Sequence, residues 1–236
     1  MSSRFEVLDA RESPLGVISL RRRWDPAVAD DVFEVKLGDE YLMSSLFTVA
    51  EVAVARLALA ELAGDAWEVA VGGLGLGYTA QTVLDEPRVS SLLVVEALAE
   101  VVDWHERGLV PVSVSASADP RCRLVTGDFF ARAAAGQLDP EAPDRRFDAL
   151  VVDIDHSPRH VLHASHSAFY TAAGTRQLAA LLRSGGVFSL WSNDPPDAGY
   201  LDVLAGAFAR ARAEVVTFPN PLQGGESTNT VYVAAV

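Results

Sequence analysis

Cysteine is almost missing from this chain. Cys122 is the only one among 236 residues, which excludes a disulfide framework and makes a reducing compartment the expectation. Long apolar runs are missing as well, since no stretch approaches the roughly 18 uninterrupted apolar residues that span a bilayer. The opening segment, MSSRFEVLDARESPLGVISL, sets acids among its apolar positions and has no continuous apolar core, so no signal peptide is expected. A cytoplasmic protein without a membrane partner follows. Positive charge is scarce: 19 Lys and Arg face 32 Asp and Glu, for a net charge of −13. No basic stripe is present, and no nucleic-acid partner is expected. Arg21-Arg22-Arg23 is the local exception and reads as a solvated strand face. Repeats and low-complexity segments are absent too. The acidity suits a cationic small molecule.

What is present is a core-forming composition, 50% hydrophobic, arranged in two textures. Residues 4–43 read as short strands at Phe5–Leu8, Leu15–Trp24 and Val32–Leu37, parted by turn formers at Ser13-Pro14, Asp25-Pro26 and Gly38-Asp39. From Phe47 to Leu62 the apolar residues recur at helical spacing. After Gly64-Asp65, apolar strands alternate with helical patterns. Strands are predicted at Trp67–Val71, Leu92–Val95, Cys122–Thr126, Phe147–Val152 and Val187–Trp191. Helices are predicted at Tyr78–Leu84, Ala97–Arg107, Phe129–Ala135, Phe169–Leu182 and Tyr200–Arg212, and Ser113–Asp119 reads as a surface loop. Strands too apolar for a one-sided sheet, alternating with helices, predict a parallel sheet covered on both faces. Ala213–Phe218 and Thr230–Val236 break the alternation as an antiparallel hairpin at the last edge. The expected fold is α/β: a Rossmann-like sheet closed by a hairpin, similar to class I methyltransferases. A small antiparallel β region over residues 1–45 would precede a transferase domain over 46–236.

The strongest local signal is Gly72-Gly73-Leu74-Gly75-Leu76-Gly77, directly after a strand and before a helix. Glycines at Gly73, Gly75 and Gly77 allow a sharp turn and the close approach of a ligand, and the helix N-terminus faces it. Glu96 ends the next strand, where a carboxylate holds the ribose hydroxyls of a nucleoside or, alternatively, solvates a helix start. A nicotinamide dinucleotide fingerprint would need a small residue at position 78, and Tyr78 stands there. Asp128 and Phe129 follow the third strand. Asp128 suits either an adenine amine or a helix N-cap. The fourth strand runs from Asp148, which reads as structural, to Asp153 and Asp155. Strand C-termini are where open α/β sheets bind ligands, so these two carboxylates are a candidate base and its electrostatic neighbour.

This succession, together with Phe-Asp-Ala-x-x-x-Asp-x-Asp at 147–155, resembles the spermidine synthase family, over about Leu37 to Val236. The resemblance implies a β-stranded N-terminal segment on a methyltransferase-like core, a homodimer, and transfer from S-adenosylmethionine or its decarboxylated form to an amine or polyamine. It assigns ribose to Glu96, adenine to Asp128 and catalysis to Asp153. Trp191-Ser192-Asn193 and Asn229-Thr230-Val231-Tyr232 are consistent with it. Several positions depart from the family pattern. Gly75 replaces the aspartate that grips the aminopropyl amine, Met43 replaces a glutamine, and Asp155 stands two residues past Asp153 rather than three. The Tyr-Gln-Glu motif retains only Glu51, in Val49-Ala50-Glu51. Aminopropyl and methyl transfer are both open on this reading, as is 3-amino-3-carboxypropyl transfer. A domain that keeps nucleoside binding without transfer is the non-enzymatic alternative. Glu51, His156 and Trp191 are candidate substrate contacts. His156, His160, His163 and His166 fall in one loop, read as a proton shuttle, a substrate contact or solvated side chains rather than a metal site.

Overall fold

In the computed structural model, residues 5–13, 15–115 and 118–236 are described. The expected Ser13-Pro14 turn and the middle of the Ser113–Asp119 loop lie outside them. The N-terminal segment forms a four-stranded antiparallel meander of β1 (Phe5–Ser13), β2 (Gly16–Asp25), β3 (Asp30–Leu37) and β4 (Glu40–Ser44). The sequence pattern did not predict β4. It forms because Gly38-Asp39 makes a two-residue hairpin loop, with Gly38 at φ 57°, that pairs Leu37 with Glu40. One face of the meander buries Ile18, Leu20 and Val35.

Helix α1 (Val49–Leu59) then crosses to the main sheet. Its buried residues include Ala50, Ala55 and Ala58, whose small side chains let the helix lie close to the strands. The rest alternates as the sequence predicts: β5 (Trp67–Gly72), α2 (Tyr78–Leu84), β6 (Val89–Glu96), α3 (Ala99–Glu106), β7 (Cys122–Thr126), α4 (Phe129–Ala134) and β8 (Phe147–Val152). It continues through α5 (Ala172–Ala179), β9 (Leu182–Ser192), α6 (Ala198–Ala205), β10 (Arg210–Pro219) and β11 (Glu226–Ala235). The seven strands lie in the order β10-β11-β9-β8-β5-β6-β7, parallel except around β11.

Every helix but α2 is shorter than its periodicity predicts, and α5 and α6 show why. Helix α5 starts only after Thr171, whose hydroxyl caps Gly174 N, while Phe169 and Tyr170 are buried ahead of it. At its other end Leu182 already belongs to β9. Helix α6 stops at Gly206, and Arg210–Arg212 join the edge strand by pairing with β11 instead of extending the helix. Alternate residues of each central strand feed two cores. Val69, Val71, Ala149 and Val151 pack beneath α1 to α3, whereas Ala70, Leu150 and Val152 pack against α4 to α6. Both faces are covered, as parallel strands require. No helix among the described residues is long and apolar enough to cross a membrane.

Candidate active site

Strand β5 hands the chain to β6 on one side and pairs with β8 on the other, which makes the β5–β8 boundary the topological switch point of the sheet. In such sheets the crevice outside the carboxyl ends of the strands at this point is where ligands bind. The two strand ends are tied together, with Asp153 N donating to Gly72 O at 2.9 Å. Gly73, at φ 88°, presses on the Asp153 carbonyl so closely that a Cβ there would collide with it. The glycine turn is therefore needed both for its backbone conformation and for the approach of β8.

Glu96 ends β6 and is buried beside the turn. Its two carboxylate oxygens accept from Leu74 N and Leu98 N, both at 2.9 Å. Burial pushes its pKa up, and the surrounding backbone amides pull against that shift. Asp128 is exposed one strand further along and caps α4 by accepting from Ala131 N at 3.0 Å. Phe129 is buried with its ring against Gly72, where an added Cβ would lie 2.8 Å away. These three residues follow one another along the strand ends on one side of Gly73.

On the other side a cavity of about 410 Å³ opens, lined by Glu51, Gly73, Gly75, Asp153, His156 and Trp191 among others. Glu51 reaches it from the first turn of α1 and Asp153 from the end of β8. The Thr79 hydroxyl, in the first turn of α2, donates to Asp153 Oδ2 at 2.8 Å and lies 3.1 Å from Glu51 O. Burial raises the Asp153 carboxyl to about 6, and the Thr79 bond opposes that rise. Glu51 is held well above the usual carboxylate range, first by burial and then by the charge of Asp153. Tyr78 is raised too, by burial and then by Glu51. Phe47 and Phe218, 5.9 Å apart between ring centroids, join Trp191 as an aromatic wall. His156 stands at the mouth, its Nε2 3.1 Å from Glu40 Oε1.

Asp155 is not brought to the cavity. After Ile154 the chain turns and buries the Asp155 carboxylate on the far side. There it accepts from Tyr170 OH at 2.8 Å and Leu162 N at 2.9 Å, and lies 2.8 Å from His166 Nδ1. The other histidines of the loop also pair locally, His160 with Asp194 and His163 with Ser165. No group of three or more potential metal ligands converges among the described residues. Asp148, at the start of β8, accepts from Glu68 N and pairs with Arg183.

Thr79, Tyr78 and Asn220 also line the cavity without being singled out by sequence. A signal for the first two existed, because the opening turn of the helix after a glycine turn faces the crevice.

The fold has counterparts among solved structures. A spermidine synthase in complex with the transition-state analogue AdoDATO matches at a TM-score of 0.74 and 16% identity, over 97% of this chain and 73% of that one. The spermidine synthase from Thermotoga maritima gives 0.71 at 15% identity, over 97% and 72%. The fold is spermidine synthase-like. A probable spermidine synthase from Corynebacterium glutamicum gives 0.65 at 17% identity, over 98% of this chain and 80% of that one. No protein-family profile matches the chain.

Proposed function

We propose that this chain is a transferase that moves an alkyl group, aminopropyl or methyl, from an S-adenosyl-sulfonium donor to a small amine. The observation that carries the reading is Asp153, a half-buried carboxylate at the switch point, facing a cavity that also holds Glu51. The glycine turn, Glu96 and Asp128 run along one side of Asp153, in the order a nucleoside needs. The cavity with its aromatic wall lies on the other. The spermidine synthase fold, and a transition-state analogue bound to one such enzyme, support an adenosyl donor of this kind.

In this reading the donor lies along the β5, β6 and β7 ends. Glu96, at the end of β6 beside the glycine turn, is the carboxylate placed to meet the ribose hydroxyls. The amine enters from the cavity and is held as a cation by Glu51 and Asp153. Once that nitrogen has lost a proton its lone pair attacks the carbon next to sulfur, the C–N bond forms as the C–S bond breaks, and the thioether leaves with the bonding pair. Asp153 receives the proton the nitrogen sheds. A carboxyl raised to about 6 is ionised at neutral pH yet more basic than an ordinary aspartate. Alignment of the two reactants supplies most of the remaining advantage.

The test is calorimetry with methylthioadenosine and S-adenosylhomocysteine, followed by mass spectrometry of amines incubated with either donor. Binding of a thioether and transfer to an amine support the reading. Failure of both thioethers to bind would sink it.

A further inference from the structure

The cavity is chemically two-ended. Among the described residues lining it, the carboxylates are Glu51 and Asp153, and both belong to the end beside the glycine turn. The opposite wall comes from the end of β9 and from the β10–β11 hairpin: Asn193, Asn220, Ser227, Thr228 and Asn229. All are neutral hydrogen-bonding side chains.

Two of them form a fixed pair. Thr230 is registered opposite Ser192, which sets Asn229 beside Asn193, and Asn229 Nδ2 donates to Asn193 Oδ1 at 3.1 Å. The mutual bond leaves Asn193 Nδ2 as a donor and Asn229 Oδ1 as an acceptor, side by side. Exchanging oxygen and nitrogen in both amides leaves the same set, one donor and one acceptor. Asn193 is further fixed by its backbone, whose N–H donates to His156 O at 2.7 Å. Asn220 is committed elsewhere, since its Oδ1 accepts from Leu222 N and Gln223 N and its Nδ2 donates to Ser227 Oγ.

The distance from this pair to Asp153 follows from the sheet. Val152 is registered opposite Leu190, so Asp153 stands beside Trp191, one strand across and two residues short of Asn193. With strands about 4.8 Å apart and about 3.3 Å of rise per residue, the backbones of Asp153 and Asn193 are about 8 Å apart. A short aliphatic spacer covers that gap, alongside Trp191 and Phe218.

We infer that the acceptor is an amine carrying a neutral hydrogen-bonding group, a hydroxyl or a primary amide, at its other end. The inference rests on the transferase reading and deepens it. The ammonium goes to Glu51 and Asp153. The far group meets Asn193 and Asn229, which together offer it a donor and an acceptor. A second ammonium in that place is donor-only: it would confront the Asn193 N–H groups and find no carboxylate among the described residues of that wall. Desolvating a charge against neutral amides costs more than desolvating a hydroxyl that both of them satisfy. Asn193 and Asn229 thereby select against diamines.

The experiment compares aminobutanol, aminobutanamide and putrescine as acceptors, with S-adenosylmethionine and its decarboxylated form as donors and product detection by mass spectrometry. The hydroxyl or amide acceptor is expected to exceed putrescine at least tenfold in kcat/KM. Asn193→Asp and Asn229→Asp, which are isosteric and add a carboxylate to the far wall, should each shift that ratio at least tenfold toward putrescine. Melting temperatures identify any variant that misfolds, and the exposed Asn193 provides the second route. Transfer with putrescine preferred by the wild type, or ratios unmoved in both folded variants, overturns the inference and leaves the transferase reading standing. Absence of transfer to all three amines from both donors overturns the two together.

Discussion

Met43 Sδ occupies the space that a side chain on Gly75 would need. A Cβ built on Gly75 would lie 2.8 Å from that sulfur and 3.4 Å from Met43 Cε. Met43 and Gly75 are the two positions where the resemblance calls for a glutamine and an aspartate, and they prove to be contacting neighbours on the cavity wall. Where the resemblance would set a polar grip, a thioether packs on bare backbone. The two departures from the resemblance meet in one contact.

Gly75→Asp alone should therefore destabilise the chain by about 1–3 kcal/mol, the usual range for overpacking. Asp tolerates the left-handed φ of 52° better than most residues, so the collision with Met43 dominates the cost. Met43→Gln or Met43→Ala in the same chain should recover part of that loss. Urea denaturation of the single and double variants reads the coupling, and strict additivity would show that the two side chains do not compete. The wild type should show no tenfold preference for the decarboxylated donor, whereas the Met43→Gln, Gly75→Asp double variant should gain one.

The sequence made the central elements legible with unequal sharpness. Strands β7 and β8 and helix α2 begin and end where their patterns do, because Gly77, Gly127 and the polar run before Phe147 punctuate them. The end of α6 was hidden, because Arg210-Ala211-Arg212-Ala213 is compatible with helix or strand and only pairing with β11 decides. Of the site, the glycine turn and Asp153 could be read from position, and Glu51 only through the resemblance. Asp155 could not be placed, since three residues beyond a strand end the chain direction depends on Tyr170 and His166, fifteen and eleven residues away. Thr79 and the Asn193–Asn229 pair depend on long-range register and leave only a faint local signal.

Glu96 should matter to donor and fold together. Glu96→Ala removes the acceptor of Leu74 N and Leu98 N as well as any ribose contact. Methylthioadenosine affinity is expected to weaken by about 1–3 kcal/mol, and the melting temperature to fall in the same variant. Unchanged binding by calorimetry would remove Glu96 from the donor site.

Asp155→Ala should behave as a structural lesion. It leaves Tyr170 OH, Leu162 N and a histidine nitrogen without this partner, and the buried Tyr170 hydroxyl alone should cost about 1–3 kcal/mol. Thermal denaturation should show a clear loss, while kcat per folded molecule should keep the pH profile of the wild type. A changed profile would return Asp155 to the chemistry.

Asp153→Asn should do the opposite. In the folded chain the Asp153 carboxyl keeps its proton up to about pH 6, whereas in the unfolded chain it ionises near its ordinary value of 3.8. Between those values the folded state binds more protons, so stability falls as pH rises through the window and stays lower above it. Asparagine removes that penalty and still offers Thr79 Oγ1 an acceptor. The melting temperature at pH 8 should thus rise relative to wild type, with little difference at pH 4. Activity should move the other way. Without the proton acceptor the rate should drop about 10²–10⁴-fold, while methylthioadenosine affinity stays close to wild type. The acid limb near pH 6 in the wild-type rate profile should be missing from whatever activity remains. Glu51→Gln separates the neighbours: burial, not Glu51, raises Asp153, so the acid limb should stay near pH 6 in that variant. A destabilised Asp153→Asn variant that transfers at the wild-type rate would show that this carboxylate serves the fold and not the reaction.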